Sequence, residues 1–285
     1  MLLIFCLALS GKGYCLDWKI LHEQADRDTL SQAEEKFDAD AGSLNDLYVA
    51  GLVCLNQHRN DEAENIFNKI IALDPQYYPA KWGIAEVFRR NHQLGQAKKM
   101  SEEVIKDYPD FFPAYLTLAY TEYLKLNLNR SASLALAVIK HGKKKVDLAN
   151  LSRAYLLYGG SKGLIAYHGG PISKVINGTS VLLALKKAQA LQPDSAETFL
   201  GLGTFYILAP GVVGGDLEKG IEFLNKAAKA DPQLPAVYVR LAQAYKIKGN
   251  QAKYAEYLNQ ALKIDPENEF ALDTQSGECK YACKP

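Results

Sequence analysis

The sequence has almost no net charge and no block of one sign. Its 33 Lys and Arg stand against 32 Asp and Glu, a formal charge of +1. A protein that grips nucleic acid through its phosphates needs a basic excess, so that class is set aside. The longest basic block, Lys143-Lys144-Lys145, reads as a solvated face. Histidine is sparse too. The five, at 22, 58, 92, 141 and 168, are scattered and form no His-x-x-x-His pair. His58 and His92 fall in turns, where solvation is expected. With no catalytic constellation and no metal-binding spacing, neither an enzyme, a cofactor nor a metal is expected. No apolar run reaches the roughly 20 residues that cross a bilayer.

Cysteine is also scarce, with five in 285 residues. The apolar start, Met1 to Leu9, followed by Ser10-Gly11-Lys12-Gly13, has the pattern of a secretory signal ending near residue 14. Export, to a periplasmic compartment, is therefore expected. Cys15 follows the bulky Tyr14, a poor context for lipidation. Cys54 falls on a core position. Cys279 and Cys283 lie close together in a polar tail, residues 274–285, where an oxidising compartment would allow a bridge. That loop is short and the stability gained is small.

What is present is a beat. Asp74-Pro75 is followed 34 residues later by Tyr108-Pro109, and Asp231-Pro232 by Asp265-Pro266. A 34-residue period is the mark of a helix–turn–helix unit that stacks into a solenoid. Counting each unit from the third residue after its proline, the first begins at Leu44, with small Gly51 at its helix crossing, then Ala63 and Phe67 one turn apart. The next begin at Tyr78 (Ala85, Phe88, Ala97) and Phe112 (Tyr115, Leu118, Ala119). Later ones begin at Ala196 (Phe199, Leu202, Gly203, Tyr206) and Pro235 (Tyr238, Leu241, Ala242, Tyr245). In the last, Tyr254 stands where alanine is wanted and implies a looser crossing. These positions resemble the tetratricopeptide-repeat family over roughly Leu44 to Asp273. The expectation is an all-α helix–turn–helix solenoid over residues 44–273, with capping helices in 15–43 and a partial cap at Glu267 to Asp273.

The rule breaks between residues 146 and 195, which hold one repeat and 16 residues more. With a first helix at Asp147 to Tyr158 and a second at Ser180 to Leu191, the excess is a glycine-rich stretch, Gly159 to Ile172. The next repeat inserts Ala209 to Asp216 at its own turn. Equivalent turns share one edge of a stack, so the two insertions are expected to be neighbours. Either they form a lip, through Ile165, Tyr167, Val212 and Val213, or they pack on each other and fill a widened gap. Pro210, Gly214, Gly215 and Asp216, followed by Leu217-Glu218-Lys219, also resemble the exported helical T component of TRAP-type transporters. That resemblance implies a periplasmic protein with an apolar ligand pore, working beside a solute-binding protein.

The first helix of each repeat lines the concave groove. Its candidates are Tyr48 and Asn56; Trp82, Glu86, Arg89 and Arg90; Tyr120 and Tyr123; Thr204; and Gln243 and Lys246. Aromatic residues and arginine are common binding anchors, so a protein or peptide partner is the leading expectation and an apolar ligand the alternative. Some of these aromatics would instead pack on adjacent repeats. Chaperone-binding repeats use a Lys and Asn carboxylate clamp at groove positions that here hold Tyr48, Leu52, Trp82 and Glu86, so that mode is absent.

Overall fold

The Asp-Pro beat has a local cause. Asp74, Asp231 and Asp265 each turn a side-chain oxygen back onto the backbone N–H two residues on, at 2.9, 2.9 and 3.2 Å. The proline between them cannot extend the preceding helix. The computed structural model describes residues 17–29, 31–32 and 43–282. The expected signal segment, Cys15, most of the expected capping region and Cys283 lie outside the described residues.

Fourteen α-helices are described, with no strand among the described residues. They are α1 (Trp18–Ala25), α2 (Leu44–Asn56), α3 (Asn60–Leu73), α4 (Tyr78–Arg90), α5 (Leu94–Asp107), α6 (Phe112–Leu124) and α7 (Leu128–Lys145). Then come α8 (Leu148–His168), α9 (Pro171–Leu191), α10 (Ala196–Leu208), α11 (Leu217–Ala230), α12 (Pro235–Ile247), α13 (Gln251–Ile264) and α14 (Glu269–Ser276). The five first helices begin at Leu44, Tyr78, Phe112, Ala196 and Pro235, in the register read from the sequence. Each helix packs on the next, as a solenoid requires.

Starts are set by caps. Ser43 and Asp46 form a capping box on α2, and Asp147, Ser195, Asp216, Asn250 and Asn268 cap their helices through side-chain oxygens. The fifteenth position of four repeats turns left-handed: His58, His92, Leu126 and Gly249 have φ of 59, 57, 60 and 72°. Crossings are tight. A Cβ at Gly51 would lie 2.5 Å from Phe67, and one at Gly83 would lie 2.6 Å from the opposite edge of the same ring.

The first insertion is not a loop. Gly159 to His168 continues α8, and Pro171 starts α9 well before Ser180, so both helices run to 21 residues. Their glycines serve close packing: a Cβ at Gly159 would lie 3.3 Å from that of Ala184. The second insertion is a short turn. Gly214 takes φ 98°, and a Cβ at Gly215 would overlap the carbonyl of Ala209 at 1.9 Å. Those two glycines bring Asp216 to the start of α11, where its side chain accepts from Lys219 N at 3.1 Å.

The curved stack closes on itself. His58, in the α2–α3 turn, lies 2.8 Å from Asp231 Oδ2, beyond α11. His92, in the α4–α5 turn, meets Glu269 Oε1 at 3.0 Å and Asp265 Oδ1 at 3.1 Å. Both histidines, expected to be solvated, instead bridge early repeats to late ones. The tail adds a third tie, since the Tyr281 hydroxyl donates to the carbonyl of Leu124. Tyr281 and Ala282 are buried, and Arg240 donates to both their carbonyls at 2.9 and 2.7 Å. The segment read as a polar tail is thus a lock up to residue 282. Cys279 within it is disulfide-bonded.

Candidate functional site

Closure turns the concave groove into a cavity of about 1850 Å³, above the 300–1,000 Å³ usual for small-molecule sites. Its two halves differ in chemistry because different helices build them.

The half made by α2, α4 and α6 is polar and internally satisfied. Glu86 accepts from Arg89 Nε at 2.9 Å, Arg90 Nε at 3.1 Å and Thr117 Oγ1 at 2.9 Å. Trp82 Nε1 donates to Thr117 at 2.9 Å, and Arg90 Nη1 to the carbonyl of Leu55 at 2.7 Å. The Arg89 guanidinium lies 4.4 Å from the Tyr120 ring centroid. Burial alone would push the Glu86 carboxyl up, but the two guanidinium groups and Thr117 hold it well below the usual range. Behind this network sits His22 of α1. Asn150 Nδ2 donates to its Nδ1 at 3.1 Å, so the proton is on Nε2, which donates to the Tyr48 hydroxyl at 2.9 Å. Burial lowers the His22 pKa to about 4, against the opposing pull of Asp147.

The half made by α8, α9 and α10 is mostly apolar, with Lys174, Thr179 and Thr204 among its polar members. Along α8, Leu156, Gly160, Gly163, Leu164 and Tyr167 face the cavity at helical spacing, and Val181, Leu185, Leu200, Phe205 and Leu208 face them from α9 and α10. Here Gly160, Gly163, Gly178 and Gly201 keep the wall open.

Of the expected groove residues, Asn56, Trp82, Glu86, Arg89, Arg90, Tyr120, Tyr123 and Thr204 line this cavity. Tyr48 does not, because it is wholly buried against His22, Phe67 and Trp82. Gln243 does not either: it is buried between Arg240 and Thr274, supporting the tail lock. Lys246 is outside, exposed beside the Tyr254 ring. Trp82 is only 5% exposed and is a packing residue first. Of the expected lip, Tyr167 and Val213 reach the cavity, whereas Ile165 and Val212 do not. Val212 is 96% exposed. The two insertions thus border one cavity, the first as helix rather than as lip.

Residues 159–163 spell Gly-x-Ser-x-Gly, which corrects the sequence reading that no such motif is present. That motif works only at a strand-to-helix elbow. Here Ser161 is buried within α8 and donates to Ser131 Oγ at 2.9 Å. Also missed were Arg153, Glu197 and Asp26, which gather at the boundary between the two halves. The signal for Arg153 was its place one turn before Leu156 and Leu157 on the same helix.

This architecture is that of a tetratricopeptide-repeat protein, and a tetratricopeptide-repeat model matches residues 55–119. A second model, the TRAP transporter T-component, matches residues 115–274, more than half of the chain. The chain belongs to the TRAP transporter T-component family. Its fold is similar to the APC/C hetero-tetramer Cut9-Hcn1, with TM-score 0.56 and 18% identity, covering 90% of this chain and 47% of that one. It is also similar to a tetratricopeptide repeat protein from Parabacteroides merdae, with TM-score 0.53 and 12% identity, covering 91% and 98%. Among curated proteins it is 26% identical over 212 residues to the CTR9 homolog of Arabidopsis thaliana. That match spans 64% of this chain and only 19% of the relative's length.

Proposed function

We propose that this protein is an exported accessory component of a tripartite solute transporter. It would hold an apolar or amphiphilic small molecule in the cavity and work beside a solute-binding protein. The carrying observation is the apolar wall of α8, α9 and α10, which faces a deep, partly open cavity where early and late repeats meet. Family membership and the disulfide at Cys279, a bond favoured by oxidising compartments, support the same reading. Among the described residues no helix is long and apolar enough to cross a membrane.

The test is saturable fluorescence enhancement of N-phenyl-1-naphthylamine, a neutral apolar probe. Gly178 lines the cavity and a Cβ there would meet nothing within 4 Å. Gly178→Phe should keep the helix and fill the space, weakening the probe by about tenfold, or 1.4 kcal/mol. Absence of saturable binding by the wild type would refute the reading.

A peptide partner in the groove is the second reading, favoured by Arg89 and Tyr120 at groove positions. Against it, the Arg89 side chain is already taken up by Glu86 and the Tyr120 ring.

A further inference from the structure

Four arginines line the cavity, and three are committed. Glu86 takes up Arg89 and one nitrogen of Arg90, whose Nη1 goes to a backbone carbonyl. Arg240 is spent on Tyr281, Ala282 and Gln243. Arg153 differs. Its one ion pair among the described residues, Nε to Glu197 Oε1, is 3.6 Å long, beyond hydrogen-bonding distance. Among the described residues no hydrogen bond takes up its Nη1 or Nη2. A guanidinium is a rigid fork of donors, suited to a bidentate carboxylate.

Arg153 stands where the polar half of the cavity gives way to the apolar one. One turn further along α8 come Leu156 and Leu157, and the stripe continues to Tyr167. At 1.5 Å per residue, Arg153 to Tyr167 spans about 21 Å. A membrane hydrocarbon core is about 30 Å thick, so one leaflet's acyl chain is about 15 Å long and fits on this wall.

We propose that Arg153 is the head-group anchor of a long-chain carboxylate, a fatty-acid-type amphiphile whose hydrocarbon lies along α8, α9 and α10. This rests on the apolar-cavity reading above and specifies its ligand class. Four carboxylates act on the Arg153 guanidinium, Glu197 and Asp26 most strongly, then Glu86 and Asp147. Burial pushes the Asp26 carboxyl up, opposed by Arg153. Glu197 makes the direct ion pair with Arg153, and a ligand carboxylate would displace it from that long contact.

The experiment is displacement of N-phenyl-1-naphthylamine from the full chain by dodecanoate, 1-dodecanol and dodecylamine, each below its critical micelle concentration. Dodecanoate should bind about tenfold more tightly than the other two, the scale of one charge-assisted bidentate contact. Arg153→Gln should erase that preference and leave dodecanol unchanged. Glu197→Gln, which keeps Arg153, should tighten dodecanoate. Lys186→Gln, removing an exposed cation of α9 that does not line the cavity, should change nothing. Equal affinities for the three probes, dodecylamine binding most tightly, or a preference that survives Arg153→Gln would each overturn the head-group assignment while leaving the apolar cavity standing. If none of the three displaces the probe, the cavity reading itself falls.

Discussion

Phe67 is held between two glycines, and that arrangement sets a quantitative expectation. A Cβ at Gly51 would lie 2.5 Å from Cε1 and 2.8 Å from Cζ, while one at Gly83 on α4 would lie 2.6 Å from Cδ2 and Cε2. The ring is wholly buried, so it cannot swing away from α2 without striking α4. Gly51→Leu must therefore push α2 away from its neighbours. Overpacking costs about 1–3 kcal/mol where neighbours can shift, and more where they cannot. Better helix propensity returns about 1 kcal/mol. The net expected loss is on the order of 3 kcal/mol. Gly95 is the control, an exposed helical glycine whose added Cβ meets nothing within 4 Å, so Gly95→Leu should stabilise slightly. Phe67→Ala alone should cost about 3–5 kcal/mol through its cavity. Combining it with Gly51→Leu lets leucine occupy the vacated space, so the double variant should cost at least about 1 kcal/mol less than the sum. Urea unfolding followed by circular dichroism measures all four variants. Gly51→Leu as mild as Gly95→Leu, or strict additivity in the double variant, would refute the account.

Two pH effects of opposite sign follow from the histidines. His22 is buried neutral with its pKa lowered to about 4, so its contribution is full above pH 6.5 and is lost as pH falls from 6.5 towards 4. The loss should reach on the order of 3 kcal/mol and vanish in His22→Gln, read from urea midpoints between pH 8 and 4. Burial opposes the charge on His92, but Glu269 and Asp265 outweigh it and raise its pKa above 6.5. Its hold on the closing seam should be full below pH 6.5 and weaken as pH rises through the raised value. Protection factors at the α4–α5 turn, corrected for the base-catalysed intrinsic rate, should fall over that range in the wild type, and His92→Ala should be poorly protected throughout. Export is checked at the mature N-terminus by mass spectrometry, where loss of the segment up to about residue 14 is expected and an intact Met1 would contradict it.

The repeat register was legible in the sequence because it is set locally. Asx turns at Asp74, Asp231 and Asp265, small residues such as Gly51, and alternating helix faces all act within one 34-residue unit. The glycines of residues 159–163 misled for the same reason. Glycine signals either a turn or a close helix contact, and only the partner helix α9, with Ala184 against Gly159, decides between them. Helical spacing likewise placed Trp82, Arg89 and Tyr120 on one face. It could not tell which ends of that face would be covered, so Tyr48 and Gln243 turned out to be packing residues. The site itself was decided by contacts between residues more than 150 apart: His58 with Asp231, His92 with Asp265, and Tyr281 with Leu124. Superhelical curvature is the sum of small rotations at each crossing, and no single repeat encodes it. Local sequence therefore specifies the unit and its stacking. Long-range packing alone closes the stack, turning a groove into a deep, partly open cavity and leaving Arg153 at the boundary between its polar and apolar halves.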